Sequence, residues 1–219
     1  MKKHRILVVD DHPVFREGLV RVLTREKNLE VVGEASNATD ALKEAISLKP
    51  DLVLVDISLD GSNGIDLVRI LRGRIPAIRI LMLSMHKEVL HAERALRAGA
   101  NGYIMKRESG RQLVETIRQV LNGQTYVSEA MKELLLQKLT SSSDAKSQSP
   151  ADLLSDREFE IFQLIGQGYG TRQIADELHV SMKTVESHRE HIREKMHLGS
   201  TFELVQCAIH WIHSEKEPA

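Results

Sequence analysis

The strongest constraint on this chain is a series of short, apolar segments separated by amphipathic ones. Ile6–Val9, Val31–Val32, Leu52–Ile57, Ile80–Ser84 and Gly102–Met105 read as strands. A strand with one face in water alternates polar and apolar residues, whereas one that is apolar almost throughout is covered on both faces, as in a parallel sheet. Helical periodicity fills the gaps, near 13–25, 38–48, 63–72, 87–98 and 109–121. Five β-α units in this order predict a doubly wound, five-stranded parallel sheet with right-handed crossovers.

Beyond residue 150 the strand signal vanishes and four helices are expected. The first opens at Ser155, where Glu158 completes a capping box, and stops at Gly166 and Gly168. The second starts at Thr171. The third runs from an N-cap at Ser181 to about His197, with Val185, Ile192 and Met196 inward. The fourth opens at Ser200 with Glu203, and its Phe202, Val205, Ile209 and Ile212 share one face. Two helices joined by a tight turn inside such a bundle form a helix-turn-helix. Residues 141–150, SSSDAKSQSP, contain no large apolar side chain and read as a linker. The expected organisation is therefore a sheet domain over 1–127, a helix (about 128–139) and linker over 128–150, and an all-α domain over 151–213. The Leu134–Leu136 run is read as a helix packing on one of the domains.

Charge and composition exclude several classes. The chain has 219 residues with 30 Lys/Arg and 31 Asp/Glu, so bulk charge does not mark a histone-like binder. Residues 1–140 carry 22 basic and 18 acidic side chains, residues 141–219 carry 8 and 13. The single cysteine, Cys207, rules out an internal disulfide and is read as a small buried hydrophobe. No apolar run approaches a membrane span, and the start is too short in apolar residues for a signal peptide, so a cytoplasmic protein is expected. Six of the ten histidines follow residue 178, without the spacing of a zinc site.

The chemistry gathers at the carboxyl ends of the expected strands, where open parallel sheets bind ligands. Asp10 and Asp11 end the first, Asp56 the third, Ser84 the fourth, and Lys106 follows the fifth. Three clustered carboxylates repel one another and call for a hard divalent cation, most naturally Mg²⁺. In that setting Asp56 suits attack on phosphorus, with Lys106 stabilising charge on the equatorial oxygens.

LVVDD, LVLVDIS, LMLS and GYIMK resemble the receiver domain of two-component response regulators, a flavodoxin-like fold. LSDREFEIFQLIGQGYGTRQIADELHVSMKTVESHREHIREKM resembles the LuxR-type helix-turn-helix. Together they resemble the NarL/FixJ family of transcriptional regulators. The resemblance implies that Asp56 accepts a phosphoryl group from a sensor histidine kinase. It implies that Asp10, Asp11, Asp56 and the main-chain carbonyl of Ser58 hold Mg²⁺. It also implies that Ser84 and Lys106 bind the attached group, and that Tyr103 is the switch aromatic. Catalysis would be limited to the protein's own phosphoryl transfer and dephosphorylation. Two departures stand out: Asp60 replaces a frequent proline, and Met85 replaces a small residue beside Ser84.

In the third output helix, Lys183, Thr184, Glu186, Ser187, Arg189, Glu190 and Arg193 are the candidates to meet double-stranded DNA, with His188 half-buried. Glu186 and Glu190 either accept from cytosine or point away from phosphate. A homodimer is expected on phosphorylation or on DNA, because one helix reads few base pairs. His12, beside Pro13, is read as an ordinary loop residue. The rival readings are a pseudo-receiver with constitutive DNA binding and an interaction module that has lost it.

Overall fold

The computed structural model describes residues 3–59, 62–85, 88–140 and 150–214. Asp60 and linker residues 141–149 lie outside them. The chain forms two compact units, Met1–Ser142 and Ser143–Ala219.

The first unit is the expected doubly wound sheet. Its strands are β1 (His4–Val9), β2 (Leu29–Ala35), β3 (Leu52–Asp56), β6 (Arg79–Ser84) and β7 (Gly102–Met105), all parallel in the order β2-β1-β3-β6-β7. Between β3 and β6 a small antiparallel pair, β4 (Ser58–Leu59) and β5 (Ser62–Asn63), forms a hairpin the sequence did not suggest.

Period-2 alternation divides the strand residues between two cores. Leu7, Val9, Val53, Val55, Ile80 and Met82 face α2 (Ala38–Leu48), α3 (Gly64–Arg74) and α4 (Glu88–Ala98). Ile6, Val8, Leu52, Leu54, Leu81 and Leu83 face α1 (Pro13–Thr24) and α5 (Gly110–Leu121). Each such side chain contributes about 1.5–3 kcal/mol of burial. Helix α6 (Glu129–Thr140) belongs to this unit: Met131 is buried in the first core and Leu135 packs against it, while Leu136 is exposed. The unit thus extends past residue 127.

The second unit begins with a short helix, α7 (Pro150–Leu153), ahead of the four expected ones: α8 (Asp156–Gly166), α9 (Thr171–Glu177), α10 (Met182–Lys195) and α11 (Thr201–Ser214). The capping box at Ser155 forms: Glu158 N–H donates to Ser155 Oγ, and Ser155 N–H donates to Glu158 Oε2 at 2.8 Å. Glu203 N–H donates to Ser200 Oγ, but the Glu203 carboxylate reaches back to Gly199 N–H instead. The turn between α9 and α10 passes through His179 at φ +50° before Ser181 caps α10. Gly166 lets α8 approach α11, since a Cβ there would lie 2.4 Å from the Ala208 carbonyl oxygen.

One expectation, an enclosed Cys207, is corrected, and the face shared by Phe202, Val205, Ile209 and Ile212 proves only partly buried. The buried face of α11 is Leu204, Ala208 and Ile212, while Phe202 is 68% exposed, Ile209 39% exposed, and Val205 half-buried. Cys207 is half-buried rather than enclosed. Both follow from a helix apolar around most of its circumference, in which periodicity marks no single inward face.

Candidate functional site

The chain order places the reversal of strand order between β1 and β3, so the crevice opens at their carboxyl ends. Asp10 follows β1 and Asp56 ends β3, both buried. Lys106 follows β7 and reaches across the sheet edge. Its Nζ lies 2.6 Å from Asp56 Oδ2 and 2.8 Å from Asp10 Oδ2. The Phe15 ring lies 4.6 Å from the same ammonium. Ser84, buried at the end of β6, accepts the Lys106 N–H on its carbonyl at 2.8 Å.

Burial pushes the Asp56 carboxyl up to about 7. The Lys106 ammonium opposes this, and the charges of Asp10 and Asp11 reinforce it. His12 joins the cluster. Its Nδ1 lies 2.6 Å from Asp11 Oδ1, 3.4 Å from Asp10 Oδ1 and 3.8 Å from Asp56 Oδ2. Buried Asp10 Oδ2 and Asp11 Oδ1 accept no aligned hydrogen bond within the described residues. Three carboxylates whose oxygens lie within 4.8 Å of one another, with a single buried ammonium to balance them, fit a hard divalent cation.

The loop after β3 is shaped by Gly64, because a Cβ there would lie 2.0 Å from the Asp56 carbonyl oxygen. Asn63, buried, caps α3 by accepting the Ile65 N–H at 2.8 Å. Ser58 is half-buried in β4. Tyr103 is enclosed in the first core, and Met85, beside Ser84, is 70% exposed.

In the second unit, α10 exposes Lys183, Glu186, Ser187 and Glu190, with Thr184, Arg189 and Arg193 half-buried. Thr184 is tied to the N-cap: its N–H donates to Ser181 Oγ at 3.0 Å. Arg193 pairs with Glu190 at 2.9 Å. Arg157 is structural, since it donates to Glu160 at 2.9 Å and to the Leu178 carbonyl at 2.8 Å. Lys195 is held by Glu158 at 2.6 Å. Among the described residues of this unit, Arg172, Lys183 and Arg189 are the basic side chains without an ion pair within 4 Å.

Residues 6–118 match the response regulator receiver domain, and residues 152–208 match the bacterial regulatory proteins of the luxR family. The chain is a two-component response regulator. Oxygen regulatory protein NreC of Staphylococcus aureus (strain MRSA252) is 37% identical over 209 residues, covering 94% of this chain and 96% of NreC. A LuxR-family response regulator from Aurantimonas sp. SI85-9A1 is 34% identical, with TM-score 0.60, covering 64% of this chain and 100% of that one. Response regulator ChrA of a heme-sensing two-component system is 28% identical, with TM-score 0.52, covering 96% of this chain and 98% of that one. The response regulator thus joins a receiver to a LuxR-type DNA-binding domain, as in related transcription regulators.

Within this response regulator the fold brings Asp10, Asp11, Asp56 and Lys106 together, with Ser84 at the same edge. Sequence reasoning missed His12. Pro13 at the first position of α1 fixes the helix start there, and the His12 N–H donates to Asp10 Oδ1 at 2.8 Å, which turns the ring toward the carboxylates. The signal was adjacency to Asp11. Among the described residues, no helix is long and apolar enough to cross a membrane.

Proposed function

We propose that this response regulator is a cytoplasmic transcription factor whose DNA binding is controlled by phosphorylation of Asp56 by a sensor histidine kinase. The observation that carries the reading is the buried Lys106 ammonium shared between Asp56 and Asp10 at the switch point of the sheet. An Asp56 oxygen forms a bond to phosphorus as the phosphorus–nitrogen bond of the kinase phosphohistidine breaks, and the imidazole leaves with the electron pair. Lys106 then transfers its pairing from carboxylate to phosphoryl oxygens, and Ser84 donates its hydroxyl to the same group. Asp10, Asp11, Asp56 and the Ser58 carbonyl would hold Mg²⁺, which supplies further charge neutralisation when bound. Tyr103, packed beside the strand carrying Ser84, follows its movement and carries the change outward.

At the output end, Lys183, Thr184, Arg189 and the N-terminus of α10 hold phosphates and Ser187 faces the bases, while Glu186 and Glu190, the latter paired with Arg193, either accept from cytosine or point away from phosphate. A second copy completes the reader. The apolar stripe of Phe202, Val205 and Ile209 on α11 supports pairing through this helix, since a stripe of that kind on a single chain wastes burial.

Labelling with acetyl phosphate tests the first half. Incorporation that requires a divalent cation and is lost in Asp56→Ala is expected, and wild-type labelling in that variant or in excess chelator overturns the assignment. Sedimentation with and without beryllofluoride tests the second. A shift to dimer that Phe202→Glu abolishes is expected, and an unchanged monomer on and off DNA argues against dimer control.

A further inference from the structure

Helix α10 is 14 residues long, and positions three apart lie on one side of it. His188 and His191 are such a pair, with ring centroids 6.4 Å apart. That side meets the first turn of α8, where the capping box fixes the buried Glu158 side chain. One ligand atom from each of Glu158, His188 and His191 falls within 4.8 Å of the others. Two observations mark the cluster as more than packing. His188 Nδ1 is buried and has no hydrogen-bond partner within the described residues, an omission that ordinarily costs a folded protein about 1–3 kcal/mol. And the bonds from Ser155 N–H and Lys195 Nζ both fall on Glu158 Oε2, leaving Oε1 open to a cation.

The protonation states suit a metal. Burial, reinforced by the charge of Arg157, pulls the His188 imidazole below its usual range, so it is neutral near pH 7 with a lone pair available. Burial raises the Glu158 carboxyl, but Lys195 and the Ser155 donors outweigh it and hold the group ionised. Two imidazoles and a carboxylate are the donor set of a zinc-class ion rather than of Mg²⁺. Bonds of about 2.1 Å bring tetrahedral ligand atoms to roughly 3.4 Å apart. The exposed His191 ring can close that gap, and the half-exposed Lys195 can turn into solvent.

We propose that Glu158, His188 and His191 form a binding site for a divalent transition-metal ion of the zinc class, fastening the DNA-reading helix to α8. The site is distinct from the receiver cluster and does not depend on the reading of Asp56. Occupancy adds two positive charges to a domain whose residues 151–213 hold six Lys/Arg and ten Asp/Glu, so it favours approach to a polyanion.

The test uses the untagged full chain in millimolar Mg²⁺, which occupies the receiver cluster. Co²⁺ is titrated by visible absorption and by quenching of Trp211, the sole tryptophan, which meets the ring of Phe159, the neighbour of Glu158 in sequence, edge-on with centroids 5.2 Å apart; Zn²⁺ then competes. Expected are d–d bands of four- or five-coordinate cobalt and quenching, both reversed by Zn²⁺. Binding should weaken about tenfold or more in His191→Ala, whose exposed side chain leaves the fold intact. It should persist in His12→Gln and in the double variant His210→Gln/His213→Gln. Absence of the bands in wild type, unchanged affinity in His191→Ala, or loss in either control variant overturns the proposal.

Discussion

Lys106 Nζ sits between two buried carboxylates, 2.6 Å from Asp56 and 2.8 Å from Asp10. One ammonium against two carboxylates leaves a net negative pocket, with Asp11 adding to it. The lysine is therefore as much a structural counter-ion as a ligand for an incoming anion. Lys106→Met should destabilise the receiver by about 3–5 kcal/mol at pH 8, because removing one partner strands buried charge. Millimolar Mg²⁺ should recover part of the loss. Urea denaturation with and without Mg²⁺ measures both, and a loss under 1 kcal/mol would mean that the pair is solvated.

The elevated Asp56 carboxyl has a consequence for stability. Its folded value, about 7, exceeds the unfolded value near 4, so the native state keeps a proton that the unfolded chain has released. Without metal, wild-type stability should therefore fall as pH rises from about 4 to about 7 and level off above. Asp56→Asn removes that slope. Its advantage should be small at pH 5 and larger at pH 8, with a ceiling of roughly 4 kcal/mol, and Mg²⁺ should shrink it. Equal denaturation midpoints for the two proteins at both pH values would refute the environment described.

Kinase docking has its own expected signature. Val14 is 85% exposed at the start of α1, two residues from His12, and borders a cleft of about 500 Å³ toward α5. An exposed apolar residue in a cleft that His12 and Lys106 also line suits a partner surface. Val14→Asp should slow transfer from the phosphorylated kinase about tenfold, as loss of a contact worth roughly 1.4 kcal/mol would, while labelling by acetyl phosphate stays at the wild-type rate. Equal slowing with both donors would place the defect in the pocket instead.

DNA binding should depend only modestly on salt. With Arg157, Arg193 and Lys195 engaged internally, Arg172, Lys183 and Arg189 remain among the described Lys/Arg of each output unit. A dimer then neutralises roughly six phosphates, for a log–log slope near −5 at about −0.9 per contact. If Glu186 or Glu190 reads cytosine, its Gln variant relaxes preference at one operator position. If it only repels the backbone, the variant binds every sequence more tightly. A slope steeper than about −9 would show that a different face meets the duplex.

The turn of the helix-turn-helix carries a small strain at His179, whose φ of +50° lies in the left-handed region just past the end of α9. Glycine adopts this conformation without the Cβ penalty. His179→Gly should raise output-domain stability by about 0.5–1 kcal/mol, read as a higher thermal midpoint. A lower midpoint would mean that the imidazole makes a compensating contact.

How far the sequence could be read depended on how each residue is placed. Asp10, Asp56, Ser84 and Lys106 were legible because each sits at the end of a strand whose apolar run is unmistakable, so one-dimensional order fixed a three-dimensional edge. The β4–β5 pair was not, since two-residue strands carry no periodicity. Which residues of α11 face inward was not legible, because the helix is apolar on several sides and only packing against α8 selects Leu204 and Ala208. The grouping of His188 and His191 with Glu158 was hidden by distance along the chain: the third member comes from the cap of another helix. Asp60 lies outside the described residues.

The reacting edge is assembled from the ends of four strands, with its first carboxylate at Asp10 and its ammonium at Lys106. A nascent chain halted before β7 lacks the cation that Asp56 and Asp10 share. If Asp56 is the phosphoacceptor proposed above, competence to be phosphorylated is acquired only after β7 has joined the sheet and brought Lys106 to Asp56.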